Sequence, residues 1–450
     1  MTIELDDGAR VGVIGGGPAG SMFAYFLLTM AKRVGIDVSV DIYEPRDFTI
    51  AGPGGCNMCG GIVSESLIQL LATEGINLPH TIVQRGIDSY VLHTDRGTVR
   101  IAPPSQEAKI AAVHRGGGPR DAEVLEWGGL DGFLLDLARS EGANVIQNRV
   151  PQVEMVDGKP TVQLRRQDPV SYDLLAGATG VNSAAWSLYE SLGFTWNKPE
   201  TTKAYITELK LGNEAVTERY GSSMHIFLLN IPRLDFAAIV PKGNYATVCL
   251  LGTEIDKELI ESFFEHPSVK ASFPDGEDPE EGACHCQPRI NIKEAAIPYV
   301  DRVVLIGDAG VTRLYKDGIG AAYRTAKAAA RTAVFSGIAA EDFERHYLPV
   351  YRSISSDNSY GKKIFWGTHY IKAISPLIKG MLHMAEKEQG GTGERRPMSR
   401  LLWDLFTGSA HYRDIFLRMF DPRFGARFLW HIGLGLFRRR SRLKEIESVT

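Results

Sequence analysis

The spacing of apolar side chains changes along the chain, and each change marks a different kind of structure. Residues 11–14 form an unbroken run of mostly β-branched side chains, which is typical of a strand buried on both faces. Residues 21–30 place apolar side chains at helical spacing, and residues 38–43 return to a strand pattern. This order predicts a strand, a helix and a second strand, as at the start of a parallel α/β unit.

Further along, the pattern changes to alternation between apolar and polar positions. Residues 90–94 and 98–101 alternate in this way, and strand-like runs recur between residues 204 and 251. A period of two is typical of antiparallel strands, which keep one face on a core and can cover a ligand with the other. Residues 302–306 again have a buried-strand pattern, with four apolar side chains after Arg302, so we expect the antiparallel part to be an insertion in the α/β unit.

Beyond residue 340 the pattern is helical and rich in aromatic side chains, with a linker-like interruption at residues 389–396. Near the end, residues 424–437 carry an apolar stripe that includes Trp430, and a basic run follows at residues 438–442. An apolar stripe beside a basic cluster is what a helix on a membrane surface needs. The alternative is a helix packed on its own domain with a solvated basic end.

Composition narrows the functional class. The chain has 450 residues, of which 44% are hydrophobic, enough for two or three domains with a sizeable core. Its formal net charge of −4 gives no global basic field, so we expect no nucleic-acid partner. Five cysteines do not suggest a secreted disulfide framework, and neither a signal-peptide core nor a run of ~20 apolar residues is present. We expect a cytoplasmic protein, peripheral on the cytoplasmic membrane face if residues 424–442 bind lipid.

The first strand runs directly into the motif Gly15-x-Gly17-x-x-Gly20. In a dinucleotide site the first glycine makes the tight turn, the second lets the backbone approach a pyrophosphate, and the third lets the helix pack on the strand. The phosphates then lie on the unpaired amides at the start of the helix. The second strand leads into Glu44, whose carboxylate can hold a ribose by its hydroxyls. We interpret this unit as a dinucleotide site, the alternative being a glycine-rich turn in an ordinary α/β unit.

Residues 51–61 are rich in glycine and contain Cys56-x-x-Cys59. The spacing fits a redox pair, two metal ligands or small buried side chains. Cys284-x-Cys286 adds enough thiolates for a four-cysteine zinc site, but nothing in the sequence brings the two pairs together. A strand would also point Cys284 and Cys286 to one face through packing alone. We favour structural cysteines over a redox or substrate-contacting pair, and we assign no metal ligand.

Several stretches together resemble the FAD-dependent oxidoreductases of the glutathione-reductase-like superfamily, and among them the geranylgeranyl reductase family. The resemblance covers about residues 10–340. The stretches that carry it are the Gly15-to-Gly20 unit with Glu44, Cys59-Gly60-Gly61, Gly177-Ala-Thr-Gly180, residues 236–252, and Gly307-Asp308 with Asp317-Gly-Ile-Gly320.

The resemblance implies an α/β fold made of a Rossmann-like FAD-binding domain, an inserted antiparallel β-sheet substrate domain and a helical C-terminal region. The FAD-binding domain is expected to be discontinuous. The expected bounds are residues 1–80, 105–200 and 295–340 for the FAD-binding domain, 81–104 and 201–294 for the substrate domain, and 341–450 for the helical region.

The resemblance also implies where FAD is held. Asp308 would bind a ribityl hydroxyl, and the amides from Gly318 to Gly320 would face the flavin pyrimidine, where a helix dipole favours the reduced anionic cofactor. The implied cofactor-binding residues are Gly15, Gly17, Pro18, Ala19, Gly20, Glu44, Pro45, Arg46, Cys59, Gly60, Gly61, Gly180, Gly307, Asp308, Gly318, Ile319 and Gly320.

Two stretches depart from the family pattern. Residues 313–317 replace a proline- and glycine-rich run, and Lys316 at the flavin edge would stabilise the reduced cofactor. Alternatively, Lys316 and Asp317 form an exposed first turn, with Asp317 capping the helix. We expect Cys59, Tyr315 and Lys316 to be the catalytic residues.

The second departure is at residues 127–131, which lack the arginine that related flavoproteins use to reach the FAD phosphates, so Arg46 or Arg120 is the expected substitute. No second glycine triplet follows a strand, so we expect no separate NAD(P)H domain. Electrons would come from an external donor, such as a reduced nicotinamide, a ferredoxin-like protein or a quinol, or directly from the substrate.

The expected function is that of an FAD-dependent oxidoreductase. Our leading hypothesis is hydride transfer from reduced flavin to a carbon–carbon double bond of a hydrophobic, isoprenoid-type substrate. The alternatives are a membrane-peripheral dehydrogenase that passes electrons to a quinone or protein acceptor, a flavin monooxygenase, and a non-catalytic flavin-bound docking or sensor protein. The strand end Gly177-Ala-Thr-Gly180 differs from the Asp-Gly of aromatic hydroxylases, which weakens the monooxygenase hypothesis.

Overall fold

The computed structural model describes residues 3–56, 59–103, 110–123, 127–182, 186–190, 192, 198–273, 283–389 and 396–437. The predicted linker falls mainly on residues 390–395, and the basic run is at residues 438–442. Both lie outside the described residues.

Strands within these residues form two large sheets and three small ones. In chain order they are β1 (Ala9–Ile14), β2 (Val38–Tyr43), β3 (Ile62–Val63), β4 (Val83–Ile87), β5 (Ser89–Thr94), β6 (Gly97–Ile101), β7 (Ile110–Val113), β8 (Asn144–Ile146), β9 (Gln152–Val156), β10 (Lys159–Gln163), β11 (Val170–Ser171), β12 (Leu174–Gly177), β13 (Glu200–Lys203), β14 (Tyr205–Lys210), β15 (Ser223–Leu228), β16 (Leu234–Lys242), β17 (Tyr245–Gly252), β18 (Cys284–Cys286), β19 (Arg289–Lys293), β20 (Tyr299–Val300) and β21 (Val303–Leu305).

Helices surround the sheets and make up the described part of the C-terminal region. They are α1 (Pro18–Val34), α2 (Glu65–Thr73), α3 (Leu130–Ser140), α4 (Trp186–Glu190), α5 (Asn213–Tyr220), α6 (Lys257–Phe264), α7 (Pro267–Lys270), α8 (Gly318–Phe335), α9 (Ala340–Asp342), α10 (Leu348–Ala373), α11 (Ser375–Gln389), α12 (Pro397–Thr407), α13 (Tyr412–Met419) and α14 (Pro422–Phe437). A π-helical turn at Phe343–Tyr347 joins α9 to α10.

The first large sheet has six strands in the order β20-β21-β12-β1-β2-β8. All neighbours are parallel except β20 and β21. The glycine motif follows β1, whose strand is hydrogen-bonded on both sides, so the motif emerges near the middle of the sheet. Helix α1 packs closely on α8, and apolar side chains of both helices belong to the core that lies on the sheet. The N-terminal ends of α1 and α8 therefore meet at the carboxyl edge of the parallel strands.

The second large sheet has the order β18-β14-β17-β16-β15-β5-β6. Its neighbours are antiparallel, as expected, except for the parallel pair β15 and β5. One face packs on α5 and α6 in a closed apolar core. The opposite face contributes to a second core with α10, α11, α12 and α13, so the C-terminal helices pack directly on the sheet. No helix within the described residues is long and apolar enough to cross a membrane.

Lys372 near the end of α10 fastens this helix to β16. Its ammonium donates to the carbonyl oxygens of Leu234 at 2.5 Å and Asp235 at 3.2 Å, and the residue is buried. Burial lowers the pKa of Lys372 to about 8, against the opposing effect of the Asp235 and Asp95 carboxylates. In the unfolded chain the pKa of the Lys372 ammonium is ~10.4.

We expect Lys372 to make the protein more resistant to urea as pH rises from about 8 to about 10. In this window the unfolded chain binds more protons than the folded one, so the free energy of unfolding increases with pH, by at most about 1.4 kcal/mol per pH unit. Lys372→Met keeps a long apolar side chain but cannot titrate, and its urea midpoint should rise less steeply. Parallel curves of midpoint against pH for the two proteins would contradict this prediction.

Candidate active site

The glycine motif forms the floor of one end of a cavity of about 880 Å³. Gly15 has a φ of +108°, and a β-carbon there would lie 2.5 Å from the carbonyl oxygen of Ala178. A β-carbon on Gly20 would lie 1.9 Å from the carbonyl oxygen of Gly15. Only glycine fits at these two positions. The first turn of α1 receives no side-chain cap, and Gly17, Pro18 and Ala19 line the cavity. This end of the cavity therefore suits a phosphate.

Glu44 lies directly after β2 and beside the glycine motif. Its carboxylate accepts hydrogen bonds from the backbone amides of Gly16 at 2.8 Å and Arg46 at 3.0 Å. Burial raises the pKa of Glu44, although these two amides act in the opposite direction. Glu44, Pro45 and Arg46 all line the cavity, so a buried acceptor and a cation lie at the same end as the phosphate-binding turn.

A second part of the cavity lining comes from the segment between Asp308 and Ile319, which adjoins the glycine motif, since a β-carbon on Gly307 would lie 2.7 Å from the Ala19 side chain. The Asp308 carboxyl lies near Thr312 and Arg115, and burial raises its pKa despite both of these groups. Gly318 and Ile319, in the first turn of α8, also line the cavity. A buried carboxyl and the start of a helix thus face the space that the resemblance assigns to the ribityl chain and the flavin.

Most of the predicted cofactor-binding residues line this one cavity. The exceptions are Gly20, Gly307 and Gly320, which pack behind its wall. The predicted residues in the lining are Gly15, Gly17, Pro18, Ala19, Glu44, Pro45, Arg46, Cys59, Gly60, Gly61, Gly180, Asp308, Gly318 and Ile319. The predicted catalytic residues Cys59, Tyr315 and Lys316 line it as well.

One alternative from the sequence was an exposed Asp317 whose side chain caps α8, and the structure shows neither the exposure nor the cap. Its side chain is 1% exposed and makes no side-chain cap on α8, so the interpretation of an exposed, helix-capping aspartate is wrong. Instead the carboxylate accepts from Arg313 Nη1 at 2.9 Å and from the Ser64 hydroxyl at 3.1 Å. A β-carbon on Gly320 would lie 2.2 Å from this carboxylate, so the glycine makes room for it.

The ammonium of Lys316 is bound at the C-terminal end of α12. It donates to the carbonyl oxygens of Asp404 at 2.9 Å and Leu405 at 2.8 Å and lies 4.2 Å from the centre of the Tyr412 ring. Burial lowers the pKa of Lys316 well below its usual range. The last carbonyls of a helix have no partner within it, and a basic group there satisfies them. Lys316 therefore joins the cavity loop to the C-terminal helices, and its influence on flavin reduction stays a prediction.

Arg115 is a cavity residue that the sequence did not reveal. Its guanidinium forms two hydrogen bonds to the Asp131 carboxylate, at 2.5 and 3.0 Å, and Asp131 is fully buried. Burial alone would lower the pKa of Arg115, but the ion pair with Asp131 raises it overall. Of the two expected substitutes for the family's arginine, Arg46 lines the cavity and Arg120 does not. The only feature of the sequence that pointed to a buried cation here was Asp131, an acidic residue at the start of a helix whose other signal is apolar spacing.

One face of the seven-stranded sheet also lines the cavity. Alternate residues of β15, β16 and β17 point to it. They are Met224, Ile226, Phe236, Ala238, Val240, Cys249 and Leu251. The register places Ile226, Ala238 and Cys249 side by side across the three strands. Phe406 of α12 adds a further apolar group, which sequence reasoning had not placed at the site. This sheet face and Phe406 are called the apolar wall below.

The structure also brings together the two cysteine pairs. Cys286 lies within electrostatic reach of Cys56, Cys284 and Cys59, and no disulfide joins any of the five cysteines. No group of three or more histidine, cysteine or carboxylate side chains among the described residues is arranged to hold a metal ion.

Neither a protein-family model nor a curated protein matches the sequence, but solved structures match the fold. A geranylgeranyl bacteriochlorophyll reductase-like protein from Thermoplasma acidophilum is 16% identical, with a TM-score of 0.56 over 95% of this chain and 99% of its own. A flavoprotein/dehydrogenase from Cytophaga hutchinsonii is 14% identical, with a TM-score of 0.59 over 95% and 98%. A mutant of halogenase PltM in complex with FAD is 12% identical, with a TM-score of 0.59 over 96% and 91%.

The fold is that of FAD-dependent flavoproteins. These likenesses confirm the predicted fold class, with its Rossmann-like parallel sheet, antiparallel sheet and C-terminal helices. They agree with FAD as the predicted cofactor, and the cavity residues fit that molecule, because two helix starts without a side-chain cap and the Asp308 carboxyl line one space. The neighbours include a reductase-like protein, a dehydrogenase and a halogenase, so the fold does not select the reaction.

We expect Asp131→Asn to lower the free energy of unfolding strongly, because it leaves the Arg115 guanidinium buried without its carboxylate. Breaking a buried ion pair from one side typically costs about 3–5 kcal/mol. Asp136→Asn is the matched control, since Asp136 lies on the same helix with its side chain 53% exposed and should cost less than about 0.5 kcal/mol. Urea unfolding and bound-flavin content of both variants provide the measurement. Equal stability of the two variants would contradict a structural ion pair at Arg115.

Proposed function

We propose that this protein is an FAD-dependent oxidoreductase that reduces a carbon–carbon double bond of a hydrophobic, isoprenoid-type substrate. The observation that carries the proposal is the apolar wall, which lines the same cavity as the helix start at Gly318 and Ile319. FAD, when bound, supplies the hydride. The chain's own residues bind the substrate, exclude water and orient the reacting bond.

The apolar wall suits a substrate without charge. Its side chains come from three adjacent strands whose opposite face is a closed core, so their positions are fixed by packing on both sides. Burying an apolar chain against such a surface contributes about 25 cal/mol per Å². Polar substrates gain nothing comparable there, because an unpaired polar group on this wall would lose its hydrogen bonds to water.

Reduction of a double bond needs a proton as well as a hydride, and Tyr315 is placed to hold one. Its ring packs on Phe236 of the apolar wall and on Phe365, and the residue lines the cavity. The Tyr315 hydroxyl donates to the carbonyl oxygen of Gly252 at 3.5 Å, and burial raises its pKa above its usual range. We assign Tyr315 the role of proton source in this proposal, with electrons supplied by an external donor.

We expect reduced holoprotein to be reoxidised by polyprenyl lipids faster than by quinones or oxygen. Ala238→Phe fills the middle of the apolar wall and should lower the rate with a polyprenyl lipid at least about tenfold, while a small soluble acceptor still reacts. Ala238→Ser, which adds almost no volume, is the matched control. The measurement is anaerobic stopped-flow spectroscopy of the bound flavin.

Other outcomes of the same experiment would overturn the proposed reaction. Fast reoxidation by a quinone alone would assign the protein to the dehydrogenases, and a fast reaction with oxygen that hydroxylates a lipid would assign it to the monooxygenases. If no acceptor reoxidised the reduced flavin, a docking or sensor protein would be the remaining hypothesis.

We also propose that α14 contacts a membrane surface. Phe424 and Phe428 pack on the core of the C-terminal helices, but Leu429 and Trp430 on the other side are 68% and 67% exposed. Exposed basic side chains, Arg423 and Arg427, lie on the same helix. An exposed apolar group flanked by basic residues matches the boundary between acyl chains and anionic headgroups.

Trp430→Glu should abolish co-sedimentation of the protein with vesicles that contain anionic lipid, because it places a charge where the indole would enter the acyl region. Phe335→Glu is the matched control, since Phe335 is 56% exposed at the end of α8 and should leave binding unchanged. Binding should also weaken with salt, as electrostatic attraction to headgroups does. Equal binding by the wild type and Trp430→Glu would contradict the membrane contact.

A further inference from the structure

The five cysteines converge on one corner of the cavity. Cys249 lies on β17 and Cys286 on β18, and the register places Ile206 of the intervening strand opposite both. The two thiols therefore point from the same face of the sheet. The loop that carries Cys56 and Cys59 passes directly beneath this face, since a β-carbon on Gly60 would lie 3.0 Å from the Cys249 sulfur. Residues that are distant in the chain thus form one thiol cluster.

Within the cluster, Cys59 and Cys249 both line the cavity, and their surroundings differ. The Cys59 sulfur accepts a hydrogen bond from the Gly61 amide at 3.4 Å and contacts the Arg115 guanidinium. A backbone donor and a fixed cation thus hold the Cys59 sulfur in place. Cys249 is buried, and burial raises the pKa of its thiol well above its usual range. Cys59 therefore lies beside a cation, whereas Cys249 is enclosed in the sheet.

The ammonium of Lys242 is a second buried cation, and it lies near Cys59 and Cys249. Lys242 is completely buried, and its ammonium lies 2.9 Å from the position that a β-carbon on Gly61 would take. It pairs with the Glu208 carboxylate at 3.5 Å, and Glu208 in turn accepts from the Thr247 hydroxyl at 2.6 Å. Polar groups are costly to bury in a structural core, so their concentration at the thiol corner favours a chemical role over packing.

We propose that Cys59 and Cys249 form a reversible dithiol–disulfide couple that exchanges two electrons with the flavin. This inference rests on the FAD binding of the proposed function. In the oxidising direction the Cys59 sulfur bonds to the Cys249 sulfur, the thiol protons are released to solvent, and the two electrons pass to oxidised FAD. In the reverse direction reduced FAD returns two electrons, the S–S bond breaks and both sulfurs take up protons. The couple needs no other oxidant or reductant.

The test is an anaerobic dithionite titration of air-oxidised holoprotein, followed through the flavin spectrum. The wild type should take up about four electrons per bound FAD, two for the flavin and two for the disulfide. Cys249→Ser and Cys59→Ser should each take up about two. Cys284→Ser is the matched control, because Cys284 lies in the cluster but not on the cavity wall, and it should keep the uptake of about four.

Peptide mapping under non-reducing conditions supplies a readout independent of the flavin. The oxidised wild type should yield one peptide pair linked through Cys59 and Cys249, and the link should disappear after titration. Uptake of about two electrons by the wild type, or a link between other cysteines, would overturn the assignment. Bound flavin is measured in the same samples, so a yellow protein without the disulfide refutes this couple while leaving the proposed function intact.

Discussion

The buried guanidinium of Arg313 fixes the geometry on which the rest of the site depends. It is 3% exposed and donates to the carbonyl oxygens of Gly408 and Ala410 as well as to the Asp317 carboxylate. Its two terminal nitrogens make these bonds, while Nε has no hydrogen-bond partner among the described residues. A charge buried this deeply is costly without such bonds, so the loop before α8 and the end of α12 must keep one relative position. Lys316 binds the same helix end, and the two cations together hold Phe406 at the cavity.

This arrangement makes the C-terminal helices part of the site. The cavity has a polar end built from backbone turns and an apolar wall built from a sheet, and α12 closes the space between them. The buried carboxylate of Asp317 connects these parts, because it also accepts from Ser64 at the start of α2. Displacement of the C-terminal helices would therefore disturb the first turn of α8 and the glycine-rich loop together.

Local sterics explain which sequence expectations hold in the structure. The turn from β1 to α1 requires glycine at Gly15 and Gly20 because any β-carbon would meet backbone within 3 Å, and this requirement is visible in the sequence as a motif. The helix begins at Pro18, three residues before the predicted start, because proline is favoured in the first turn and Gly17 occupies the cap. The alternative of a cap by Asp317 failed because the buried Arg313 binds the same carboxylate, and the other partners of Arg313 lie 95 and 97 residues away in the chain.

The sequence by itself determined the fold class, the nucleotide-binding turn and the alternating strands, because each depends on side-chain sizes and spacings within a few neighbouring residues. It did not reveal the role of Arg115, whose partner Asp131 is 16 residues away, or the contribution of Phe406 to the apolar wall. It left the two cysteine pairs as separate features, although they meet at one corner of the cavity. Only the tertiary structure decided these points. An apolar face or a charged residue in a sequence shows that a partner is needed, whereas the packing of two sheets and a helical layer determines which partner it meets.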